Sequence, residues 1–431
     1  MIELGVPLLL LAALLLVGVH IGASLAISGS VGVAIIADWH VAFRLLGESP
    51  YFTTSTYILS TIPMFVLMAE FLTGGAISHR LFHAANVWTS RFPGGLAVAT
   101  IGASAGMGAM SGVSAASSAT IASVAVPEMR KYGYADRLSL GVVAAGGTLS
   151  VLIPPSVTLI VFGVLTETSI SSLFIAGIVP GILTTLAYSL VIVIWVSKNS
   201  DLAPRSPGYS FADRVQGLVR VWPVIVLFVI VLGGLYSGVV TPTEAGALGA
   251  AGAFIISVVV GGLRLRGTLS AIVRAIRTTC MVFFILIGAN IFATYLALTR
   301  VAQDLSTFIA EHTIPKILVI IAVGIMFLVL GMFLDTLSVV VLTVPIIFPL
   351  LGSLGLGAIW IGIFTVKMIE IGLITPPVGM NIFTTVGAVE NASLQDAFSG
   401  AARFIWAELG VAILIVVFPA IVYWLPNTMS G

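Results

Sequence analysis

The chain has 431 residues, of which 59% are hydrophobic and 8% are charged, and its formal net charge is +1. Soluble domains carry about a quarter charged residues, so this composition excludes a water-soluble protein and indicates an all-α polytopic membrane protein. The near-zero net charge provides no basic surface for nucleic acid and leaves membrane lipid as the surrounding medium.

Long apolar segments recur along the chain and predict about ten transmembrane helices. Five lie in the first half, at 4–20, 21–37, 54–76, 138–166 and 171–197, and five lie in the second half, at 221–239, 243–263, 278–299, 357–388 and 400–424. The first segment follows Glu3 rather than a basic stretch, which favours a spanning helix over a cleaved signal peptide.

Two further apolar segments, 93–127 and 315–349, are interrupted near their centres by small and polar residues. Each is too long for one simple helix, so we predict two re-entrant helical hairpins. The centre of the second contains a carboxylate, Asp335. Because an ionisable group at membrane depth is costly, it predicts an ion site; a helix N-cap or a hydrogen bond to a neighbouring helix is the alternative.

Each hairpin is followed by a span that contains a double proline, Pro154-Pro155 in 138–166 and Pro376-Pro377 in 357–388. Two prolines remove two backbone donors and free carbonyl oxygens in the preceding turn, so we predict broken helices. Free carbonyls can coordinate a cation, and the positive end of the following half-helix can hold a carboxylate. A kink that serves packing alone is the alternative.

Lys367 and Glu370 stand three residues apart in the second broken span and share a helix face. This spacing predicts an internal ion pair, with a role in proton coupling or substrate binding as the alternative.

The proline-containing basic segment 198–220 predicts a cytoplasmic linker between a first half, 1–197, and a second half, 221–431. A shift of 222 positions places Pro93 on Pro315, Pro127 on Pro349 and the first double proline on the second. Such agreement indicates an internal repeat. An odd number of spans precedes the equivalent point, so the two copies are predicted to run in opposite directions, as in inverted-repeat secondary transporters.

The sequence contains no Walker-type phosphate loop and no His-Glu-x-x-His pattern. It therefore predicts a protein that is not an enzyme, that binds no cofactor and that does not use ATP within this chain.

Several longer motifs surround these features: Ser111-Gly112, Val126-Pro127-Glu128-Met129, Gly147-Thr148-Leu149, Ile153-Pro154-Pro155-Ser156, Thr241-Pro242-Thr243-Glu244-Ala245, and Glu370-Ile371-Gly372-Leu373-Ile374-Thr375-Pro376-Pro377-Val378-Gly379. On the basis of these motifs, the chain resembles the DctM-like large membrane (M) subunit of tripartite ATP-independent periplasmic (TRAP) transporters. The resemblance covers nearly its full length. The resemblance implies a multi-pass protein of the bacterial inner membrane and an elevator-type fold. It also implies sodium as the coupling ion, organic acids as substrates, and two partners: a small four-helix membrane subunit (Q-type) and a periplasmic substrate-binding protein (P-type).

In that family sodium lies between each hairpin tip and the break opposite it. The resemblance therefore implies sodium ligands at Ser111, Ser114, Gly147 and Thr148 on one side, and at Asp335, Thr336, Gly372 and Thr375 on the other. It implies a substrate site at Ser117, Ser150, Pro154, Pro155, Ser156, Pro376, Pro377 and Asn381. Two departures from the family pattern are Ser150, where many members have glycine, and Ser117-Ser118, where some carry an acidic residue.

The sequence thus predicts the large permease subunit of a sodium-coupled importer of small carboxylates, which a periplasmic binding protein delivers. The alternative is a self-sufficient cation/proton antiporter or oxyanion permease of similar inverted-repeat fold. A membrane scaffold without transport is disfavoured by the polar hairpins.

Overall fold

The computed structural model describes residues 2–75, 77–204 and 209–429, and helices account for most of these ranges. The first half contains α1 (Ile2–Leu16), α2 (Ile21–Ile36), α3 (Trp39–Thr54), α4 (Thr61–Gly74), α5 (Ile77–Thr89), α6 (Gly95–Ser111), α7 (Ser114–Lys131), α8 (Asp136–Leu152), α9 (Val157–Thr166) and α10 (Ile170–Lys198). The second half contains α11 (Phe211–Tyr236), α12 (Pro242–Val259), α13 (Leu265–Thr299), α14 (Val301–Glu311), α15 (Lys316–Phe333), α16 (Thr336–Ser353), α17 (Ala358–Leu373), α18 (Met380–Gly387), α19 (Leu394–Val417) and α20 (Ala420–Tyr423). The all-helical membrane fold is confirmed.

The candidate spans are close in number to the predicted ten, although they include both helices of the second hairpin, which the prediction counts separately. Within the described ranges, eight helices or broken helix pairs are long and apolar enough to cross a membrane, and the bent helix α11 makes nine. Helices α1 and α2 contain only 15 and 16 residues, and the predicted span 357–388 is divided into helices of 16 and 8 residues. A straight crossing of about 30 Å needs about 20 residues, so each of these helices is shorter than a straight crossing.

Two other expectations differ from the structure. Helix α11 begins at Phe211, inside the predicted linker 198–220, because Ser210 and Asp213 form a capping box at its start. Part of that linker, 205–208, lies outside the described residues. Helices α3 and α14 are also not predicted from the sequence, since neither is a long apolar run.

Both predicted hairpins consist of two paired helices. The first is α6 and α7, and it turns at Gly112, which adopts a left-handed conformation with φ of 62°. The second is α15 and α16, and it turns where Asp335 caps the start of α16. Glycine suits the first turn because a Cβ atom disfavours positive φ.

Both predicted helix breaks are also present. Helix α8 ends at Leu152 and α9 begins at Val157, while α17 ends at Leu373 and α18 begins at Met380. The Pro154–Pro155 and Pro376–Pro377 peptide bonds are cis. The missing proline N–H groups and the restricted residue before each proline account for the end of each first half-helix.

Helix boundaries recur under the same shift of 222 positions that aligns the prolines. Helix α7 (Ser114–Lys131) falls on α16 (Thr336–Ser353), and α8 starts at Asp136 where α17 starts at Ala358. The two halves also exchange contacts, because α9 packs against α16 and α18 packs against α7. A pseudo-two-fold axis produces such reciprocal pairing, which supports the proposed repeat; the opposite orientation of its copies in the membrane stays a prediction.

Glycines set the close packing of helices around the two breaks. Gly141 of α8 faces Gly400 of α19, and a Cβ atom at Gly400 would overlap the carbonyl oxygen of Arg137. Membrane helices gain little from burying apolar side chains against each other, so such small residues stabilise them by allowing close backbone contact.

We expect Gly400→Ala to lower the free energy of unfolding by about 1–3 kcal/mol, because α19 must move away from α8. The control is Gly410→Ala in the same helix, where a Cβ atom would meet nothing within 4 Å. Thermal unfolding of the purified protein in detergent measures both variants. Equal midpoints for the two would contradict the proposed close contact.

Candidate functional site

The tips of the two hairpins and the two helix breaks meet around one small cavity. Its lining consists of Val113, Ser114, Ala115, Thr158, Asp335, Thr336, Leu337, Leu373, Met380 and Asn381. The cavity volume is about 30 Å³. One buried water needs roughly 10–15 Å³ by this measure, so the cavity has room for a small ion or one or two waters and is too small for an organic acid.

Most of the lining residues form pairs that are related by the internal repeat. Val113 corresponds to Asp335, Ser114 to Thr336, Ala115 to Leu337 and Thr158 to Met380 under the shift of 222 positions. The cavity therefore lies where the two halves meet. The sequence analysis does not name Thr158 and Met380, which lie just after the two breaks and correspond to each other under the same shift.

Ser114 connects the first hairpin tip to both breaks. Its hydroxyl lies 3.0 Å from the carbonyl oxygen of Gly147 in α8, and the amide nitrogen of Asn381 in α18 donates to that hydroxyl at 2.7 Å. The same amide nitrogen lies 3.4 Å from the carbonyl oxygen of Ala144. The structure thus brings together Ser114 and Gly147, two of the first four predicted sodium ligands, with Asn381 from the predicted substrate set.

The other two residues of the first predicted sodium set point elsewhere. The Ser111 hydroxyl hydrogen-bonds to that of Ser117, which belongs to the predicted substrate set. The Thr148 hydroxyl lies 3.1 Å from the Tyr188 hydroxyl and 3.2 Å from Glu408 Oε1. The Thr148 side chain therefore belongs to a polar cluster away from the hairpin tip.

The first hairpin lies very close to the first break. A Cβ atom at Gly112 would lie 2.8 Å from the carbonyl oxygen of Pro155, and one at Gly108 would lie 2.6 Å from the Cα atom of Ser150. Larger residues at these glycines would separate the hairpin from α8, so they fix the position of Ser114.

In the second half, Asp335 and Thr336 lie at the hairpin tip and line the cavity. Asp335 caps α16, accepting from the backbone N–H of Ser338 at 3.4 Å and from the Ser338 hydroxyl. The Thr336 hydroxyl is buried without a hydrogen-bond partner among the described residues. The capping role predicted as one alternative for Asp335 is therefore present, and the cavity lies next to it.

The second hairpin meets the second break through backbone contacts. A Cβ atom at Gly372 would lie 2.7 Å from the Cα atom of Gly331, and the Gly379 N–H donates to the carbonyl oxygen of Met332 at 3.0 Å. The Thr375 hydroxyl donates within its own helix to Ile371 at 2.5 Å. Gly372 thus lies against the second hairpin, and neither Gly372 nor Thr375 lines the cavity.

The remaining predicted substrate residues occupy the two breaks. The Ser150 hydroxyl donates to the carbonyl oxygen of Gly147 at 2.6 Å, and Ser156 caps α9 by accepting from the N–H of Leu159 at 3.3 Å. Pro154 and Pro155 are buried, whereas Pro376 and Pro377 are exposed. The first break is therefore covered by protein, and the second is open.

Comparisons with known proteins agree on one class of membrane protein. The profile of the family described as "Tripartite ATP-independent periplasmic transporter, DctM component" matches residues 8–421. The C4-dicarboxylate TRAP transporter large permease protein DctM of Pseudomonas aeruginosa is 35% identical over 408 residues, 94% of each chain. The ectoine/5-hydroxyectoine TRAP transporter large permease protein UehC of Ruegeria pomeroyi is 31% identical over 85% of each chain.

Two further similarities are to a longer permease protein and to a solved structure. The isethionate TRAP transporter permease protein DctMQ of Oleidesulfovibrio alaskensis is 31% identical over 95% of this chain and 64% of its own length. The crystal structure of the YdaH transporter from Alcanivorax borkumensis has a TM-score of 0.63 at 15% identity and covers 89% of this chain and 90% of its own. The latter similarity concerns the fold alone.

We expect Asn381→Ala to lower the free energy of unfolding by about 1–3 kcal/mol, because it removes a buried link between α18 and the first hairpin. Thr384→Ala is the control, since its hydroxyl bonds only within α18, to Met380 at 2.7 Å. Thermal unfolding in detergent measures both. A control that destabilises as much as Asn381→Ala would argue against the link.

Proposed function

The chain belongs to the DctM component family of TRAP transporters, which are inner-membrane permeases rather than enzymes, and we propose that it imports small organic acids together with sodium ions. The observation that carries this proposal is the cavity between the hairpin tips. It combines oxygen atoms from both halves with a volume suited to ions.

Sodium is the coupling ion that best fits the described oxygen atoms. The first tip offers the Ser114 hydroxyl beside the Gly147 carbonyl oxygen, 3.0 Å apart. The second tip offers the Asp335 carboxylate and the unpaired Thr336 hydroxyl. Hard cations prefer carboxylate, carbonyl and hydroxyl oxygens, and a cation here would also offset the Asp335 charge at membrane depth.

The proposed substrates are anions because the second break presents backbone donors. Helix α18 starts at Met380, and its N-cap Gly379 offers no side chain, so the N–H groups of Met380 and Asn381 and the positive end of the dipole can face a carboxylate. The relatives are named for C4-dicarboxylates, ectoine and isethionate, each of which carries an acid group. Backbone amides that bind the shared acid group are compatible with this range.

The proposed transport cycle moves one part of the chain relative to the other. We assign α6–α10 and α15–α19 to the mobile part, since the hairpins and breaks form the cavity, and α1–α5 and α11–α14 to the scaffold. In such an elevator the bound site crosses the membrane with the mobile part. The cavity is too small for an organic acid, so the hairpins must separate to admit one.

The proposed partners are a small membrane subunit and a periplasmic binding protein. The family profile describes one component of a tripartite transporter. The relative named DctMQ has about a third of its length beyond the part that matches this chain, which supports a small subunit fused to its permease. A separate small subunit would give the scaffold a larger anchor in the bilayer.

We expect proteoliposomes containing the chain, its small subunit and its binding protein to accumulate radiolabelled C4-dicarboxylates only with an inward sodium gradient. Replacing sodium with potassium or choline should reduce uptake to the level of empty liposomes, because the proposed drive is sodium. Omitting either partner should have the same effect. Uptake by the chain alone under a proton gradient would instead support the self-sufficient antiporter-like transporter.

We expect Asp335→Asn to raise the sodium concentration for half-maximal uptake roughly tenfold or more, equivalent to a loss of at least about 1.4 kcal/mol of binding. Folded yield should stay near that of the unchanged protein, because asparagine caps a helix about as well as aspartate. The matched control is Asp38→Asn, which changes the cap of α3 far from the cavity. Unchanged sodium dependence in Asp335→Asn would assign Asp335 a capping role only.

A further inference from the structure

A buried polar cluster holds together the helices behind the two breaks. The Lys367 ammonium of α17 lies 3.5 Å from Glu370 Oε2 and contacts Glu408 of α19. It also donates to the Thr184 hydroxyl of α10 at 2.8 Å. The predicted Lys367–Glu370 pair is therefore present within a larger cluster. Parting these helices would leave buried charged groups without partners, which is costly, so movement at the cavity falls to the hairpins.

The tips of the two hairpins are held differently. At the first tip, the Ser114 hydroxyl lies 3.0 Å from the carbonyl oxygen of Gly147, and Asn381 donates to that hydroxyl at 2.7 Å. At the second tip, one hydrogen bond between described residues reaches the neighbouring break, from the Gly379 N–H to the carbonyl oxygen of Met332. The first tip is therefore bonded to both halves of the chain, and the second tip is bonded to one.

The outer helix of each hairpin also has different surroundings. Most residues of α6 are buried, because α5, α8 and α10 pack around it. Helix α15 instead has an exposed apolar face, which consists of Ile317, Leu318, Ile321, Ile325, Val329 and Phe333. A helix with one open side can move outward without displacing other helices of the described chain, whereas α6 cannot.

Arg130 ties the base of the first hairpin to the second half of the chain. Its guanidinium, in the last turn of α7, pairs with both carboxylate oxygens of Asp136 in the first turn of α8, each at 2.8 Å. It also donates to the carbonyl oxygens of Glu390 at 2.8 Å and Asn391 at 3.2 Å, in the loop between α18 and α19. We call these contacts the Arg130 clamp. A partly exposed ion pair adds little stability, but a bidentate guanidinium fixes the relative position of the segments it joins.

The second hairpin has no equivalent of the Arg130 clamp. The shift of 222 positions places Arg130 on Gly352 and Asp136 on Ala358, neither of which has a charged or hydrogen-bonding side chain. The end of α16 instead contacts α14 through Ser353, whose hydroxyl lies 3.4 Å from a serine hydroxyl of that helix. An exposed neutral contact of this length is weak. The base of the second hairpin is therefore held less firmly than that of the first.

We propose that the second hairpin is the gate of the cavity and that the first hairpin is its fixed wall, held by the Arg130 clamp. The tip, the outer helix and the base of the hairpins favour the same assignment. A fixed first hairpin keeps the oxygens of Ser114 and Gly147 in place while the second hairpin opens to admit a substrate. The proposal rests on the proposed transport function for the purpose of this opening, but the opening can be measured without sodium or substrate.

Cysteine labelling of the purified full-length chain in detergent compares the two hairpins. The lone cysteine is first removed by Cys280→Ser. Ser118→Cys and Val340→Cys then place a thiol at two fully buried positions that correspond under the shift of 222 positions. We expect a charged maleimide to react with Val340→Cys roughly tenfold faster than with Ser118→Cys, because only the second hairpin opens locally. The two thiols should react equally fast in denaturant. Equal rates in the folded protein, or a faster reaction of Ser118→Cys, would overturn the proposal.

Loosening the Arg130 clamp tests its role in holding the first hairpin. Arg130→Gln should raise the reaction rate of Ser118→Cys roughly fivefold or more and leave that of Val340→Cys unchanged. Lys131→Gln is the matched control, since this neighbouring residue is exposed and its ion pair, with Glu128 at 3.8 Å, stays within α7. An unchanged rate in folded Arg130→Gln, or an equal rise in the control, would show that the clamp does not hold the hairpin.

A milder variant keeps the test decisive if Arg130→Gln does not fold. Asp136→Asn removes the charge partner of Arg130 and leaves its two backbone acceptors in place, so we expect a smaller rise in the reaction rate of Ser118→Cys. No rise in this variant would contradict the clamp. These measurements use neither sodium nor substrate, so failure of the gate and failure of the proposed sodium-driven uptake can be told apart.

Discussion

Backbone groups that leave a helix inside a bilayer have no water to bond with, so a broken membrane helix must be covered by other protein groups or line a polar cavity. The two double prolines create such breaks near the centre of this fold. Each hairpin tip packs against one of them: Gly112 lies over the carbonyl oxygen of Pro155, and Met332 accepts from the N–H of Gly379. The cavity lies where the two breaks meet, which makes the hairpins and breaks one structural unit.

Each half of the repeat supplies one hairpin and one break, and the two copies have diverged in chemistry. Position 113 is valine in the first half, and the equivalent position 335 is aspartate. Only the second tip therefore brings an acidic side chain to the cavity lining. If both tips hold sodium, the second site has a fixed negative charge and the first depends on neutral oxygens such as those of Ser114 and Gly147, so their ion affinities should differ.

Local signals account for what the sequence predicted well. Runs of small polar residues and double prolines affect the backbone only of residues close to them in the sequence. Both hairpins and both breaks were therefore predicted close to their positions. Hydropathy located the first two helices at 4–20 and 21–37, close to α1 and α2, but it did not show that the turn at Val17–His20, which contains Gly18, leaves them only 15 and 16 residues long. Glu408 was missed because its partner Tyr188 is 220 residues away, and no local pattern joins them. The position of the Thr148 hydroxyl could not be predicted for the same reason, since it faces that distant pair.

If an organic acid binds beside this cavity as proposed, the unequal exposure of the two breaks favours one route of entry. Pro154 and Pro155 are buried beneath the first hairpin, where Gly108 and Gly112 leave no space between α6 and α8. Pro376 and Pro377 are exposed, and the uncapped start of α18 follows them directly. A route past the first hairpin would require the separation of closely packed backbones, whereas a route beside the second break needs the second tip to move away from α18. The donors that suit an acid group lie along this second route, so entry and binding would use the same side of the cavity.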